Sequence, residues 1–236
     1  MKRLRTRIII IALTIVQMEA FGQLFTYQLD NGNISTALNA SDTFEPRDNW
    51  FANEFTAQAD RSLITEVQFG VFTTTPGSVA DVAIYRVTDL GGNPALGATL
   101  LYTQPFTPLA GNGANAFLQN ISLSTPVALN PGDKFLVAVM VKDVIALPPN
   151  DVYPFLLDTS GVATGSYWDR SNPNSFNLDD ISGAKLLNQP LTPGGMVPGS
   201  DHVFIRALGE IPEPTGTPMV FAAITLAVVI TRRFWP

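Results

Sequence analysis

The chain has 236 residues, no cysteine, one histidine and a formal net charge of −6. Without thiols there is no thiolate nucleophile, zinc–thiolate centre or iron–sulfur cluster, and a lone imidazole excludes a histidine metal cluster. Between Gln23 and Ile211, 8 Lys+Arg stand against 18 Asp+Glu, a balance of −10, which repels phosphate backbones and argues against nucleic acid as a partner.

The first segment is MKRLRTRIIIIALTIVQMEAFGQ. It has a basic lead (Lys2, Arg3, Arg5, Arg7) and an apolar run from Ile8 to Ala12 that continues to Val16. Small residues, Ala20 and Gly22, then stand before Gln23 at the spacing a signal peptidase prefers. The expectation is a secretory signal peptide over 1–22, because an apolar core of about ten residues falls well short of the ~20 that cross a bilayer. The roughly 190 residues that follow bury enough core to fold without disulfides, and one domain is expected over 23–209.

Short apolar runs broken by Gly, Pro, Asn, Asp and Ser fill that domain. LITEVQFGVF alternates, with Leu63, Thr65, Val67, Phe69 and Val71 on one side and Glu66, Gln68 and Gly70 on the other, the period of a half-buried strand. TTTPGS turns the chain into VADVAIYRV; the connector DLGGNPALGA leads to TLLY, and AGNGANA leads to FLQNISL. In TPVALNPGDKFLVAVMVK, Pro131, Gly132 and Asp133 make a tight turn, since Pro presets φ and Gly accepts a positive one. The strand after it is apolar on both faces, Phe135, Val137, Val139 and Val141 against Leu136, Ala138 and Met140, and reads as central and doubly covered. YPFLLD, GSYWDR and HVFIRAL complete the set. Helical spacing is absent, so eight to ten short strands predict an all-β fold, an antiparallel β-sandwich of jelly-roll type.

The chain closes with IPEPTGTPMVFAAITLAVVITRRFWP, in which Thr215 to Thr231 carry no formal charge. As a helix those 17 residues reach about 25 Å, and arginine side chains snorkel far enough to complete a single transmembrane span. Arg232 and Arg233 then lie on the cytoplasmic side, with the body outside. A Pro-Glu-Pro triplet (Pro212, Glu213, Pro214), a single span and a terminal arginine pair (Arg232, Arg233) together resemble the PEP-CTERM sorting signal of exported bacterial proteins, here over 210–236. The trailing Phe-Trp-Pro departs from it, since many members end in arginine. The resemblance implies an exosortase-type processing enzyme as partner, transient or lasting membrane anchorage through the C-terminal helix, and an envelope setting alongside exopolysaccharide. WFANEF, DVAIYRV, PVALNPGDKFLVAV and VFIRAL are similar to the β-sandwich domains common in such proteins.

Chemistry-bearing patterns are sparse. His202 opens the last expected strand, but no Gly-x-Ser-x-Gly turn presents a nucleophile to it. Asp179 and Asp180 are adjacent in a loop context, while Asp30, Asp89 and Asp133 stand where turns use aspartate. Loops such as LDNGN and NLDD offer oxygen ligands for calcium without defining a site, so no metal ligand or cofactor is assigned. Trp50, Tyr153, Tyr167 and Trp168 lie near loop signals, and Trp50 and Trp168 are the candidates for stacking on sugar rings. The sequence thus points to an exported envelope or extracellular-matrix protein with a structural or adhesive role and no catalytic residues. Two other readings remain open: a carbohydrate-binding module for exopolysaccharide, and a secreted glycosidase or lyase, which would require two close carboxylates in a groove.

Overall fold

In the computed structural model, β-branched and aromatic runs punctuated by Gly, Pro, Asn and Asp become strands, and the described residues contain no helix. The structure describes residues 23–32, 36–38, 47–73, 79–89, 91–109, 112–144, 146–147, 150–151, 155–158, 165–187 and 202–211. The expected signal peptide and the C-terminal sorting segment, including Pro212, Glu213, Pro214, Arg232 and Arg233, lie outside them.

In chain order the strands are β1 (Leu24–Tyr27), β2 (Thr36–Leu38), β3 (Arg47–Thr56), β4 (Leu63–Thr73), β5 (Ala80–Val87), β6 (Ala98–Phe106), β7 (Asn112–Ala128) and β8 (Lys134–Val144). There follow β9 (Ala146–Leu147), β10 (Asn150–Asp151), β11 (Phe155–Asp158), β12 (Ser166–Ser171), β13 (Lys185–Leu186), β14 (His202–Val203) and β15 (Ile205–Glu210). All pairings between them are antiparallel. A four-stranded sheet runs β1-β15-β4-β7 and a six-stranded sheet runs β13-β12-β3-β8-β5-β6. A three-stranded sheet, β14-β11-β2, and the pair β10-β9 accompany them.

Consecutive strands often belong to different sheets. β3, β5 and β8 lie in the larger sheet, whereas β4 and β7, which alternate with them in sequence, lie in the smaller. The Pro131–Asp133 turn therefore joins one sheet to the other. Gly132 takes φ +87°, and the Asp133 N–H reaches the Asn130 carbonyl at 3.0 Å. The Asp133 carboxylate accepts the Asn130 N–H at 3.0 Å, closing the turn locally.

Aromatic rings fill the space between the sheets. Phe155 meets Phe51 of β3 at 4.2 Å and Phe69 of β4 at 5.3 Å, while Tyr27 of β1 lies 5.7 Å from Phe55 and 5.3 Å from Phe135. β8 pairs with both β3 and β5, and Phe135 through Val141 are buried on both faces. A central strand of this kind gives up side-chain area to two layers at once, about 25 cal/mol per Å² of apolar surface.

β4 departs from strict alternation. The ladder with β15 pairs Glu66 with Leu208 and Ile64 with Gly209, leaving Thr65 as an extra residue on β4, so the inward positions are Ile64, Val67, Phe69 and Val71, and the expected Leu63 and Thr65 are only partly buried. One extra residue at a bulge reverses the parity of what precedes it, which period-two reading cannot register. β6 and β7 form no ladder; side chains bridge them, Gln104 Nε2 donating to the Ser122 carbonyl (3.2 Å) and Tyr102 Oη lying 2.8 Å from Ser124 Oγ. On the smaller sheet Arg206 grips the buried Asp30 carboxylate, with Nε at 2.9 Å from Oδ2, and donates to Gln68 at 2.9 Å.

Candidate functional site

The single histidine is held inside the fold. Asn53 sits on the inward side of β3 and donates its amide to the carbonyls of Val203 and Ile205, both at 2.8 Å. Ser166, opposite Asn53 in the β3–β12 register, donates to Asn53 Oδ1 at 2.7 Å and stands 3.1 Å from His202 Nδ1. Its one hydroxyl proton goes to the amide, so the imidazole Nδ1 donates to Ser166 rather than accepting from it. A serine nucleophile requires the opposite arrangement, and Ser166 is fully buried. The trio is a polar pin that holds the bend at Phe204, between β14 and β15, against β3.

The outward face of the six-stranded sheet carries a second core. Trp50, Ala52, Ala83, Tyr85, Leu136, Ala138, Met140 and Tyr167 share that face, and Ile181 and Ala184 pack onto it from the segment after β12. The Phe176 ring stacks on Trp50 at 6.2 Å and 15°, with Tyr85 edge-on at 6.2 Å. Trp50 is 0% exposed, and Trp168, opposite Phe51 on the inward face, is 5% exposed. Neither indole offers a face to a sugar, which corrects the stacking role expected of both. A large ring on a central strand finds protein on either side, and packing there buries 150–250 Å² that a loop position would leave wet.

The acids expected in turns are there. Asp30 accepts the Gly32 N–H at 3.2 Å in addition to Arg206, and Asp89 accepts the Asn93 N–H at 2.9 Å. Asp179 and Asp180 are exposed in a turn, and hydrogen bonds from Ser182 hold the Asp180 carboxyl below its ordinary range. Among the described residues no group of three or more His, Asp or Glu is placed to hold a metal ion.

A hollow of about 240 Å³ opens on the outward face, between the turn at Gly91, Gly92 and Asn93 and the segment Ala184, Lys185 and Leu186, with Tyr167 in its wall. Beside it three residues from three neighbouring strands converge. Glu54 of β3 accepts Lys134 Nζ of β8 at 3.0 Å and Tyr167 Oη of β12 at 3.3 Å, one carboxylate oxygen each. The 91–93 turn lies directly over the amine, since a methyl added to Gly92 would stand 2.5 Å from Lys134 Nζ. Burial, then the neighbouring Glu54 carboxylate, push the Tyr167 hydroxyl up to about 12, so it remains a donor at neutral pH. A further hollow of about 380 Å³ lies at the other end of the β3–β12 pair, lined by Arg47, Arg170, Ser171, Asn172 and Ser175; Arg47 hydrogen-bonds Asn172.

No protein-family model matches the chain, and no curated protein does. Solved structures similar to it include the cysteine protease and lectin-like domains of Cwp84, a surface layer associated protein of Clostridium difficile, at 15% identity and a TM-score of 0.48. That match covers 80% of this chain and 36% of the other. Infectious bursal disease virus Gt strain matches at 13% identity and a TM-score of 0.22, over 84% of this chain and 42% of the other. The chain thus spans less than half of either, and at these scores neither likeness bears on function.

Sequence reading did not single out Glu54 or Lys134. The available signal was parity: Glu54 falls on the same strand face as Trp50 and Ala52, a carboxylate on an otherwise apolar stripe.

Proposed function

We propose that the chain is an exported β-sandwich of the cell envelope or extracellular matrix, with a structural or adhesive role, sorted through its PEP-CTERM-like tail and handled by an exosortase-type enzyme. The observation that carries this reading is how the sandwich begins and ends. β1 and β15 are neighbours in one ladder, and the Ile211 N–H donates to the Gln23 carbonyl at 2.9 Å. The residue after the expected cleavage point is thus hydrogen-bonded to the residue before Pro212. A signal peptide over 1–22 and a transmembrane helix within 210–236 would then flank a body whose two ends are tied side by side. In this reading the strand path between sheets is jelly-roll-like, and the fold serves as a scaffold rather than a catalyst.

Removing the chain from Pro212 onward, and following the protein in fractionated cells of its native host, tests the sorting role. The truncated protein should leave the envelope fraction and appear in the wrong compartment. Unchanged envelope localisation would overturn the reading.

A second reading, carbohydrate binding, is favoured by the hollow between residues 91–93 and 184–186, where hydrogen-bonding groups converge beside aliphatic walls.

A further inference from the structure

We propose that the hollow bounded by Gly91–Asn93 and Ala184–Leu186 is a subsite for one neutral pyranose ring of a polysaccharide, with Glu54 and Lys134 reading a pair of adjacent hydroxyls. The inference rests on the carbohydrate-binding reading and deepens it.

Shape comes first. About 240 Å³ is below the 300–1,000 Å³ of pockets that engulf drug-sized ligands, so the hollow takes a single ring and leaves the rest of a chain outside. Its aliphatic wall, Ala184 and Leu186, suits the C–H face of a sugar, and the 91–93 turn narrows the opposite side.

The polar groups then decide the ligand class. A sugar hydroxyl both donates and accepts, so two adjacent hydroxyls are matched by an acceptor standing next to a donor. Glu54 and Lys134 are such a pair, 3.0 Å apart, and Tyr167 fixes the other carboxylate oxygen. Because β3, β8 and β12 are contiguous in the sheet, the three groups are set by ladder registers rather than by a loop. Neither residue lines the hollow itself; Tyr167 and Gly92, which do, touch Glu54 and Lys134 respectively, and with side chains 13% and 46% exposed the pair stands beside its rim. Lys185 in the lining interacts with Asp169, and Lys134 beside it is balanced by Glu54, so the acidic body around the hollow disfavours a uronate or sulfated ring in the same position.

A single ring held by so few groups binds weakly, with a dissociation constant on the order of 1 mM. Repeating units of a polymer raise the apparent affinity without new contacts when several protein copies stand together on a surface.

The test uses the full chain in a detergent without a sugar headgroup, run through native gels containing neutral polysaccharides (a glucan, a mannan, a galactan) or a polyuronate. At least one neutral polymer should retard the wild type, and 0.5 M salt should leave the retardation in place. Glu54→Gln keeps the side-chain size and should weaken retention at least tenfold; Lys134→Ala should do the same. Lys142→Ala, on the same strand but paired with Asp81, should change nothing. Circular dichroism melts check that each variant is folded. Retention by the polyuronate alone, loss of retention in salt, no retention by any neutral polymer, or an unaltered Glu54→Gln would each overturn the subsite. Localisation of Glu54→Gln in the native host separates the two claims. Normal sorting without polysaccharide binding sinks only the subsite, whereas mis-sorting of the wild type sinks the export reading.

Discussion

Asn53 shows what one residue decides in this fold. It places a carboxamide at an inward strand position between apolar Phe51 and Phe55, and every polar atom of that side chain finds a partner. Two carbonyls at the bend of the last strand depend on it, and the hydroxyl of Ser166 is oriented by it. Asn53→Ala should lower stability by about 3 kcal/mol, because a buried acceptor left unpaired costs 1–3 kcal/mol each and two carbonyls are released. Urea denaturation checks it: a midpoint equal to that of the wild type would show that the pin does not hold the bend. Tyrosines make a second residue-scale prediction. Burial raises the hydroxyls of Tyr85 and Tyr167, Tyr167 to about 12, with the Trp50 indole opposing the shift at Tyr85 and the Glu54 carboxylate adding to it at Tyr167. A group whose folded pKa is raised stabilises fully below its unfolded value of about 10 and loses that contribution as pH climbs through the folded value. Stability should therefore be insensitive to these groups at pH 7 to 9 and should decline from pH 10 upward. Absorbance titration should show a late tyrosine phase above pH 10 that Tyr85→Phe together with Tyr167→Phe diminishes, and the same double variant should flatten the decline. A decline of the same size in the double variant would refute the assignment.

At the scale of elements, bulges set the shape. The β15–β4 ladder slips between Leu208 and Gly209, bringing Gly209 so close to β4 that an added Cβ would lie 2.0 Å from the Leu63 carbonyl oxygen and 2.6 Å from the Phe25 ring. Backbone cannot yield there as a flexible side-chain tip would, since Leu63 is itself paired with Glu210. Gly209→Ala should cost about 2 kcal/mol or more by forcing β15, and the edge strand β1 that it carries, away from β4. Hydrogen exchange reads this directly, with amides of β1 and β15 losing protection before those of β3 and β8. Uniform protection across both sheets would mean that the edge accommodates the methyl. The same edge explains why Phe25 and Tyr27, on a strand of only four residues, are both buried. A short strand paired on one side needs large anchoring rings more than a long one does.

For the whole molecule, the governing facts are the two-sheet core and the charge pattern. Several cations within the sandwich are paired with carboxylates, Arg86 with Asp133, Lys134 with Glu54, Lys142 with Asp81 and Arg206 with Asp30. The net −10 between Gln23 and Ile211 remains after these pairs cancel, and a like charge of that size keeps bodies apart in solution. A matrix or envelope role then requires a tether or a polymer to hold copies together, which is what the tail and the proposed sugar subsite would supply. Mass spectrometry of the mature protein from its host tests the tether: the expected N-terminus is Gln23, and the chain should end near the Pro-Glu-Pro triplet or retain the arginine pair in the membrane fraction. A full-length species beginning at Met1 in the soluble fraction would count against export.

The sequence by itself determined the strand class and the doubly covered centre. Alternation in β4, unbroken apolarity in β8 and Gly/Pro punctuation are local consequences of a two-residue period, and each is visible without neighbours. It also marked the turn at Gly132, because only a few residues accept that φ. The tertiary structure alone decided which sheet each strand joins, where bulges reverse parity, and that Trp50 and Trp168 face protein instead of solvent. It likewise brought Glu54, Lys134 and Tyr167 together from positions as much as 113 residues apart. Pairing between distant strands depends on the summed packing of both faces, a quantity that no single stretch of chain contains.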